Sequence, residues 1–533
     1  MNSVTRLLAS SSEGMVTSPH VLASEAGLNV LKEGGNAVEA AIAIGAALCV
    51  TYPQFTGFCG DAFLIISDAS GNIRTISGIG QAAADLSGYQ PGRAIPVRGP
   101  GAMLTSAGTV DALGTALEIS RNELGGGKSW ADLLAPALAL AQDGFPVTAS
   151  QHFWTNFRAA ELHALPGVLD AFMPNGMAPA VGTMFRQPEL AQTIRRLAAG
   201  GHRDFYEGAL ARSLAQGLEQ AGSPLTAADL AATRARIEPP LRMPYRDGEL
   251  VAHQPPTQGV TTLEIMGILN RFDLSRIKQG STAFYHLLVE AVKLAFIDRD
   301  RHVADPDFAP VPLATLLSGQ HLDSLAGRID PGRAMPWPHL FRNGDTVFAA
   351  AADAQGNCVS LLQTVYFDWG SGVAVGDSGM LWHNRGAAFS VDPSHPNCLA
   401  PGKRPFHTLN PGMYLKQGRP HILYGTQGAD GQPQTLAAIL TRMIDYGMDP
   451  LAALAAPRFL LGKTFSDASD SLKIEQDCGN AVLGGLARKG HAITTIDAQS
   501  PLAGHPGAIM IDGKTGLFTG AHDPRSDGRA LGV

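Results

Sequence analysis

Charge is scarce in this chain, and cysteine scarcer. Asp, Glu, Lys and Arg make up 16% of the 533 residues, for a formal net charge of −7. Basic residues are dispersed and no long run of one sign occurs, so the chain carries no basic footprint for nucleic acid. Five cysteines (Cys49, Cys59, Cys358, Cys398 and Cys478) are an odd number without CxxC spacing. That argues against a disulfide framework or a cysteine zinc site and leaves reduced, mostly buried thiols. No apolar run suits a membrane span. Leu7-Leu8-Ala9 is too short even for the apolar part of a signal peptide, and residues 36–50 are broken by Asn36, Glu39 and Gly45. That second stretch reads as a buried helix. Internal repeats and low-complexity segments are also absent.

What the chain has in quantity is apolar and small residues. Hydrophobic residues reach 45%, enough for a sizeable core, and 61 glycines with abundant alanine favour close-packed helices and sharp turns. Ser18-Pro19 predicts a helix start, with Ser18 as N-cap and Pro19 in the first helical position. That helix runs over Ala23 to Lys32 and stops at Gly34-Gly35. Asn36 opens a second, more buried helix to about Cys49. Residues 63–68 and 72–76 predict a strand pair around Ala69-Ser70-Gly71. Gly108 to about Ala141 is helical with a break at Gly125-Gly126-Gly127. Residues 188–240 are helix-rich, with a helix start at Thr226. Residues 329–343, rich in Pro, Gly and Arg, lack periodicity and predict an exposed linker. Beyond residue 346 short apolar strands dominate, with one helix over Leu436 to Tyr446.

The linker leads to Gly344-Asp345-Thr346. After it come a small-residue apolar strand over Val347 to Ala352, a turn at Asp353-Ala354-Gln355-Gly356-Asn357, and a second strand through Val359 to Val365. A Thr opening such a hairpin, deep inside a chain, is what an N-terminal-nucleophile (Ntn) hydrolase needs. Cleavage between Asp345 and Thr346 would free a Thr whose own α-amine can act as base for its hydroxyl. Gly-Asp-Thr alone is a weak signal, and the same Thr could simply start a strand.

Its surroundings resemble the γ-glutamyltransferase family of Ntn hydrolases along nearly the whole chain. The motifs are Gly34-Gly35-Asn36-Ala37-Val38, Pro255-Pro256-Thr257-Gln258-Gly259, Asp305-Pro306-Asp307, Gly370-Ser371-Gly372, Pro401-Gly402-Lys403-Arg404-Pro405, Ala456-Pro457-Arg458-Phe459 and Asp523-Pro524-Arg525-Ser526. The resemblance implies an α+β fold, the αββα four-layer sandwich, self-cleaved into two intertwined subunits. Residues 1–345 would form the large subunit, ending in the exposed linker at about 329–345, and 346–533 the small one. The partners implied are the two subunits as a heterodimer, with a dimer of heterodimers left open, and a small-molecule amide. No metal or organic cofactor is required. Secreted relatives carry a leader that this chain lacks, so a cytoplasmic protein is expected.

The same resemblance assigns roles. Thr346 is the nucleophile and Thr364 its hydrogen-bonding partner; an ordinary strand Thr is the alternative for the latter. Asn357 is either catalytic or purely a turn residue. Gly428 and Ala429, in the loop Tyr424 to Pro433, occupy the positions that offer backbone N–H donors to an oxyanion. Ala429 stands where relatives usually have Gly, and its methyl is compatible with the role if its φ is negative.

The charged anchors for a γ-glutamyl group are missing. The family's early Arg would fall in Ser77 to Ala83, which contains none. The acidic pair before Phe389-Ser390 is replaced by Ala387-Ala388. Each lost charged hydrogen bond forfeits roughly 1.5–3 kcal/mol, which makes glutathione a poor substrate. The motifs Asn384-Arg385-Gly386, Phe406-His407-Thr408 and Gly431-Gln432-Pro433-Gln434 are similar to the oxamate amidohydrolase branch, whose substrate is a very small amide beside a carboxylate. Arg385 becomes the candidate carboxylate ligand, or a surface arginine. Asn384, Tyr366, His407 and Thr408 are the other substrate-facing candidates, with Trp369 helping Tyr366 to narrow the pocket. His407 is either a pocket residue or a satisfied buried one, and Arg404 is structural. Residues 391–402 correspond to the family's lid loop. Competing readings are a γ-glutamyl hydrolase or transferase, a glutaryl (cephalosporin) acylase, and an unprocessed scaffold.

Overall fold

Alternation in the hairpin after residue 345 sets up the layers. Side chains along a strand point to opposite faces, and here both faces are apolar. Val347, Ala349 and Ala351 join one core cluster, while Phe348, Ala350 and Ala352 join another. A strand buried on both faces must lie inside a multilayer sandwich. The computed structural model describes residues 7–89, 92–165, 168, 171–337, 345–462 and 469–533.

Fourteen strands build two seven-stranded sheets. In chain order they are β1 (Leu8–Ser11), β2 (Gly14–Ser18), β3 (Asp61–Ser67), β4 (Ile73–Gly78), β5 (Arg236–Glu238), β6 (Leu241–Tyr245), β7 (Gly248–Ala252), β8 (Asp345–Asp353), β9 (Cys358–Tyr366), β10 (Gly412–Lys416), β11 (Arg419–Gly425), β12 (Gly507–Ile511), β13 (Phe518–His522) and β14 (Arg529–Gly532). The first sheet runs β14-β2-β8-β9-β3-β4-β5 and the second β1-β13-β12-β11-β10-β7-β6. Every pairing in both is antiparallel. Each sheet contains strands from both sides of the Asp345–Thr346 bond, so the two halves of the chain share one structure.

Helices cover the outer faces. On the first sheet lie α1 (Val21–Lys32), α2 (Ala37–Thr51) and α3 (Thr109–Glu123), with α4 (Trp130–Asp143) packed on α2; on the second lie α5 (Gly259–Leu269) and α7 (Gln432–Ile444), with α6 (Thr282–His302) packed on both. Three core clusters correspond to the three interlayer spaces of an αββα sandwich. Every residue of α2 is buried, and Asn36 with Glu39 closes a capping box at its start. Its small side chains let it settle closely on the sheet; a Cβ on Gly45 would lie 2.7 Å from Gln363 Oε1 of β9.

Three expectations need correction. The N-cap of α1 is His20, whose ring accepts the Leu22 N–H. Ser18 is instead paired in β2 with Arg529, and its hydroxyl bonds His20 O and Ser24 Oγ. The helix expected over Leu436 to Tyr446 begins earlier, at Gln432. The C-terminal third also holds helices at Pro450–Ala455 and Asn480–Lys489, where strands were expected. Of the linker, residues 338–344 lie outside the described residues. Residues 330–333 are exposed as expected, but Ala334 is buried and its N–H donates to Lys489 O. All five cysteines are free thiols, three of them buried. Among the described residues, no helix is long and apolar enough to cross a membrane.

Candidate active site

The hairpin places Thr346 at the first turn-in of β8, wholly buried. Asp345 pairs with Tyr366 and Val347 with Gln363, so β9 carries one extra residue opposite Thr346. This bulge sets Thr364 and Val365 against Thr346 and re-aims the local side chains. Thr364 Oγ1 accepts the Tyr366 N–H at 2.7 Å. Tyr366 itself adopts a left-handed φ of 79°.

Six further contacts close a ring around Thr346. Gln432, the first residue of α7, donates from Nε2 to Thr346 Oγ1 at 3.1 Å. The Gln432 N–H donates to Ala429 O, which also accepts Gln258 Nε2 at 2.8 Å. The same Gln258 amide donates to Thr408 O at 2.7 Å. Thr408 Oγ1 accepts Arg385 Nη1 at a long 3.4 Å. Arg385 then stacks over the Tyr366 ring, with Cζ 3.8 Å from its centroid, which returns to the strand end that holds Thr364. Sequence-distant segments thus converge on one hydroxyl.

Gly428 and Ala429 lie on this ring, immediately before α7. Among the described residues their N–H groups donate to no protein acceptor, so both remain available to an oxyanion. Gly428 has φ 126°, a conformation that requires glycine. Ala429 has φ 48° rather than the negative value expected, a conformation that costs an L-residue about 1–2 kcal/mol. Arg299 steadies the loop from beneath: its guanidinium donates to Gln258 Oε1 and Asp430 Oδ2, both at 3.2 Å.

Arg385 is wholly buried, and its Nε and Nη2 have no hydrogen-bond partner. Burial pushes its pKa down to about 10, so it stays charged near neutrality. The compensating carboxylate is Asp61, at the start of β3. Its Oδ2 lies 3.8 Å from Arg385 Nε, 3.4 Å from His383 Nδ1 and 3.1 Å from His407 Nε2. Its Oδ1 accepts Gly80 N–H at 2.8 Å and Gly108 N–H at 3.3 Å. Although burial alone would raise it, the electrostatic and hydrogen-bonding contacts of His383 and His407 hold the Asp61 carboxyl well below the usual carboxylate range.

The remaining candidates separate clearly. His407 has both nitrogens engaged, Nδ1 accepting the Leu409 N–H and Nε2 facing Asp61, and burial pushes its pKa down to about 3. Its contact with the ring of residues around Thr346 runs by way of Asp61. Asn384 is also committed: Oδ1 accepts the Phe367 N–H and Nδ2 donates to Val97 O, which pins the turn after β9. Ala388 packs with Tyr366 and Phe367, so an apolar patch occupies the place of the missing acidic pair. Trp369 does not flank Tyr366 in the pocket; it packs on Phe172 in the helical core, ring centroids 5.1 Å apart. Asn357 bonds Asp353 at the opposite end of the hairpin and belongs to the turn. Arg404 is anchored on Asp305 at 2.6 Å. Asp61, His383, Gln258 and Gln432 were not singled out for this role. Only an acid placed just before an apolar strand, Gly60-Asp61-Ala62-Phe63, offered a local signal.

The family model described as gamma-glutamyltranspeptidase matches residues 23–533. An oxamate amidohydrolase proenzyme from Klebsiella pneumoniae is 44% identical over 525 residues, covering 98% of this chain and 99% of that protein. A glutathione hydrolase-like YwrD proenzyme from Bacillus subtilis is 41% identical, covering 97% and 98%. The crystal structure of a cephalosporin acylase from Bacillus halodurans superposes with a TM-score of 0.90 at 32% identity, covering 99% of this chain and 97% of that one.

Proposed function

This chain belongs to the gamma-glutamyltranspeptidase family and is an Ntn hydrolase of amide bonds; from that premise we propose that it is a self-processing threonine amidohydrolase that cleaves a small carboxylate-bearing amide, oxamate above others, to oxalate and ammonia. The observation that carries the reading is Arg385: a buried, charged guanidinium with two donors that no protein group fills. A carboxylate matches such a fork with two parallel hydrogen bonds. Because Arg385 stacks on Tyr366 beside the nucleophile, carboxylate and scissile carbonyl must sit close together in the substrate. With Ala387 and Ala388 in place of acids, an α-amine finds no counter-charge there. The 44% identical oxamate amidohydrolase proenzyme supports the same substrate class.

Maturation comes first. The Thr346 hydroxyl attacks the Asp345 carbonyl in an N-to-O acyl shift, and water hydrolyses the resulting ester. This leaves chains of 1–345 and 346–533 that remain together as a heterodimer through their shared sheets. The free Thr346 α-amine, with an unperturbed pKa of about 8, then serves as base. It takes the hydroxyl proton as Oγ1 attacks the substrate carbonyl, and the Gly428 and Ala429 N–H groups receive the oxyanion. Collapse expels ammonia with the returned proton and leaves an acyl ester on Thr346. Water, deprotonated by the same amine, releases the acid.

Intact mass spectrometry with an ammonia-release assay tests this. A chain starting at Thr346, turnover of oxamate and none of a γ-glutamyl anilide are expected. Thr346→Ala should remain one inactive 533-residue chain. Anilide turnover would refute the substrate class, and cleavage in Thr346→Ala would refute the nucleophile.

A further inference from the structure

In the helical layer over the second sheet, three ligand-bearing side chains converge from three helices. Glu264 comes from α5, Asp298 from α6 and His321 from the helix Gly319–Ala326. His321 Nε2 lies 2.8 Å from Asp298 Oδ2 and 3.3 Å from Glu264 Oε1, and the three ligand atoms all lie within 4.8 Å of one another. Glu264 is 1% exposed, yet its Oε1 has no hydrogen-bond partner, since the histidine nitrogen is given to Asp298. Among the described residues, neither carboxylate forms an ion pair with a lysine or arginine. Two adjoining buried carboxylates with one imidazole are an unbalanced arrangement.

The spacing suits a metal ion. Bonds of ~2.0–2.2 Å from nitrogen and carboxylate oxygen to zinc place neighbouring ligand atoms about 2.8–3.5 Å apart. One imidazole with two carboxylates is a borderline-hard donor set, appropriate to Zn2+ or Mn2+ and not to a soft ion. We propose that Glu264, Asp298 and His321 bind a divalent transition-metal ion, Zn2+ above others, as a clip joining three helices. The His321 side chain is 24% exposed and provides the way in. Among the described residues, the helix Gly319–Ala326 is the last regular element before residue 345, so the clip would anchor the segment that leads to the scissile bond.

A second cluster, His286, Glu290 and His491, has similar composition but is already satisfied. Lys293 Nζ occupies Glu290 Oε1 at 2.7 Å, and Met335 N–H occupies Oε2. His286 bonds His491 through Nδ1 and Asp330 O through Nε2. It serves as the control.

The test uses Zn2+ alone on the purified full-length protein after chelator treatment. One retained Zn2+ and a higher thermal midpoint with the ion are expected. Glu264→Gln and His321→Ala should each weaken binding by at least ~10-fold, while Glu290→Gln binds as the unaltered protein does. No retained ion overturns the proposal, as does unchanged binding in both ligand variants. A measurement without variants guards against misfolding. Diethyl pyrocarbonate should modify His321 in the stripped protein, and Zn2+ should protect it. Equal modification with and without the ion overturns the assignment.

Discussion

Arg385→Ala removes the two guanidinium donors, Nε and Nη2, that no protein group fills. If each makes a charge-assisted bond to a substrate carboxylate, the loss is ~1.5–3 kcal/mol per bond, or ~3–6 kcal/mol for the pair. That corresponds to a fall of ~10²–10⁴-fold in kcat/KM. The surrounding cluster should survive the change. Asp61 retains the Gly80 N–H at 2.8 Å, the Gly108 N–H at 3.3 Å and His407 at 3.1 Å, so its charge is not left bare. Self-cleavage uses the Asp345 carbonyl rather than a carboxylate and should proceed. The assay is ammonia release from oxamate alongside mass spectrometry of the chains. Inhibition by oxalate should weaken by the same factor as kcat/KM, because both report the same carboxylate site. Arg385→Lys keeps a charge without the planar fork and should fall between the two. A processed Arg385→Ala enzyme with kcat/KM within about threefold of the original, less than one such bond is worth, would refute the carboxylate assignment.

Gln432→Leu removes the donor 3.1 Å from Thr346 Oγ1; one net hydrogen bond, ~0.5–1.5 kcal/mol, predicts self-cleavage slowed by ~2–10-fold in a time course of chain masses. Ala429→Gly relieves the φ of 48° but loosens the unfolded chain. A net gain of up to ~1 kcal/mol in a denaturant titration is expected, with activity kept because the N–H stays. Stability should fall as pH drops below about 6.5. Burial pushes His20 and His505 down to about 4, and His253, His407, His491 and His522 down to about 3. Each stays neutral in the fold but gains a proton near pH 6.5 when unfolded, so the unfolded state binds more protons below that pH. The thermal midpoint, followed from pH 7.5 to 4.5, should decline steadily; a flat profile would contradict neutral burial of these rings.

The central hairpin was legible because its signals are local. Asp353 to Asn357 is a turn sequence, and the small apolar residues on either side can only be strands buried on both faces. The starts of α2 and of the helix at Ala227–Ala232 were legible for the same reason, each with a capping box written in four consecutive residues. The helix Asn480–Lys489 was not. It is short and contains Gly484-Gly485, which lowers its intrinsic propensity, and it is held by close packing on the start of α6. A Cβ on Gly485 would lie 2.3 Å from Thr282 Oγ1. The later start of α1 depends on a β2 pairing with Arg529, more than 500 positions away.

By itself, the sequence marked Thr346 as the candidate nucleophile, the hairpin that carries it, the Gly-rich loop at Gly428 and Ala429, and the absence of the family's γ-glutamyl anchors. Each of these is a run of adjacent residues that can be matched to a family motif without knowing the fold. Only the tertiary structure decided what those parts face. Asp61, His383, Arg385 and His407 meet because β3, the turn after β9 and the segment before β10 are packed together, and the ionisation of each depends on that burial. Arg385 is not a surface charge, because packing removes it from water while leaving two of its donors unfilled. That condition arises from long-range contacts, and no window of neighbouring residues contains it.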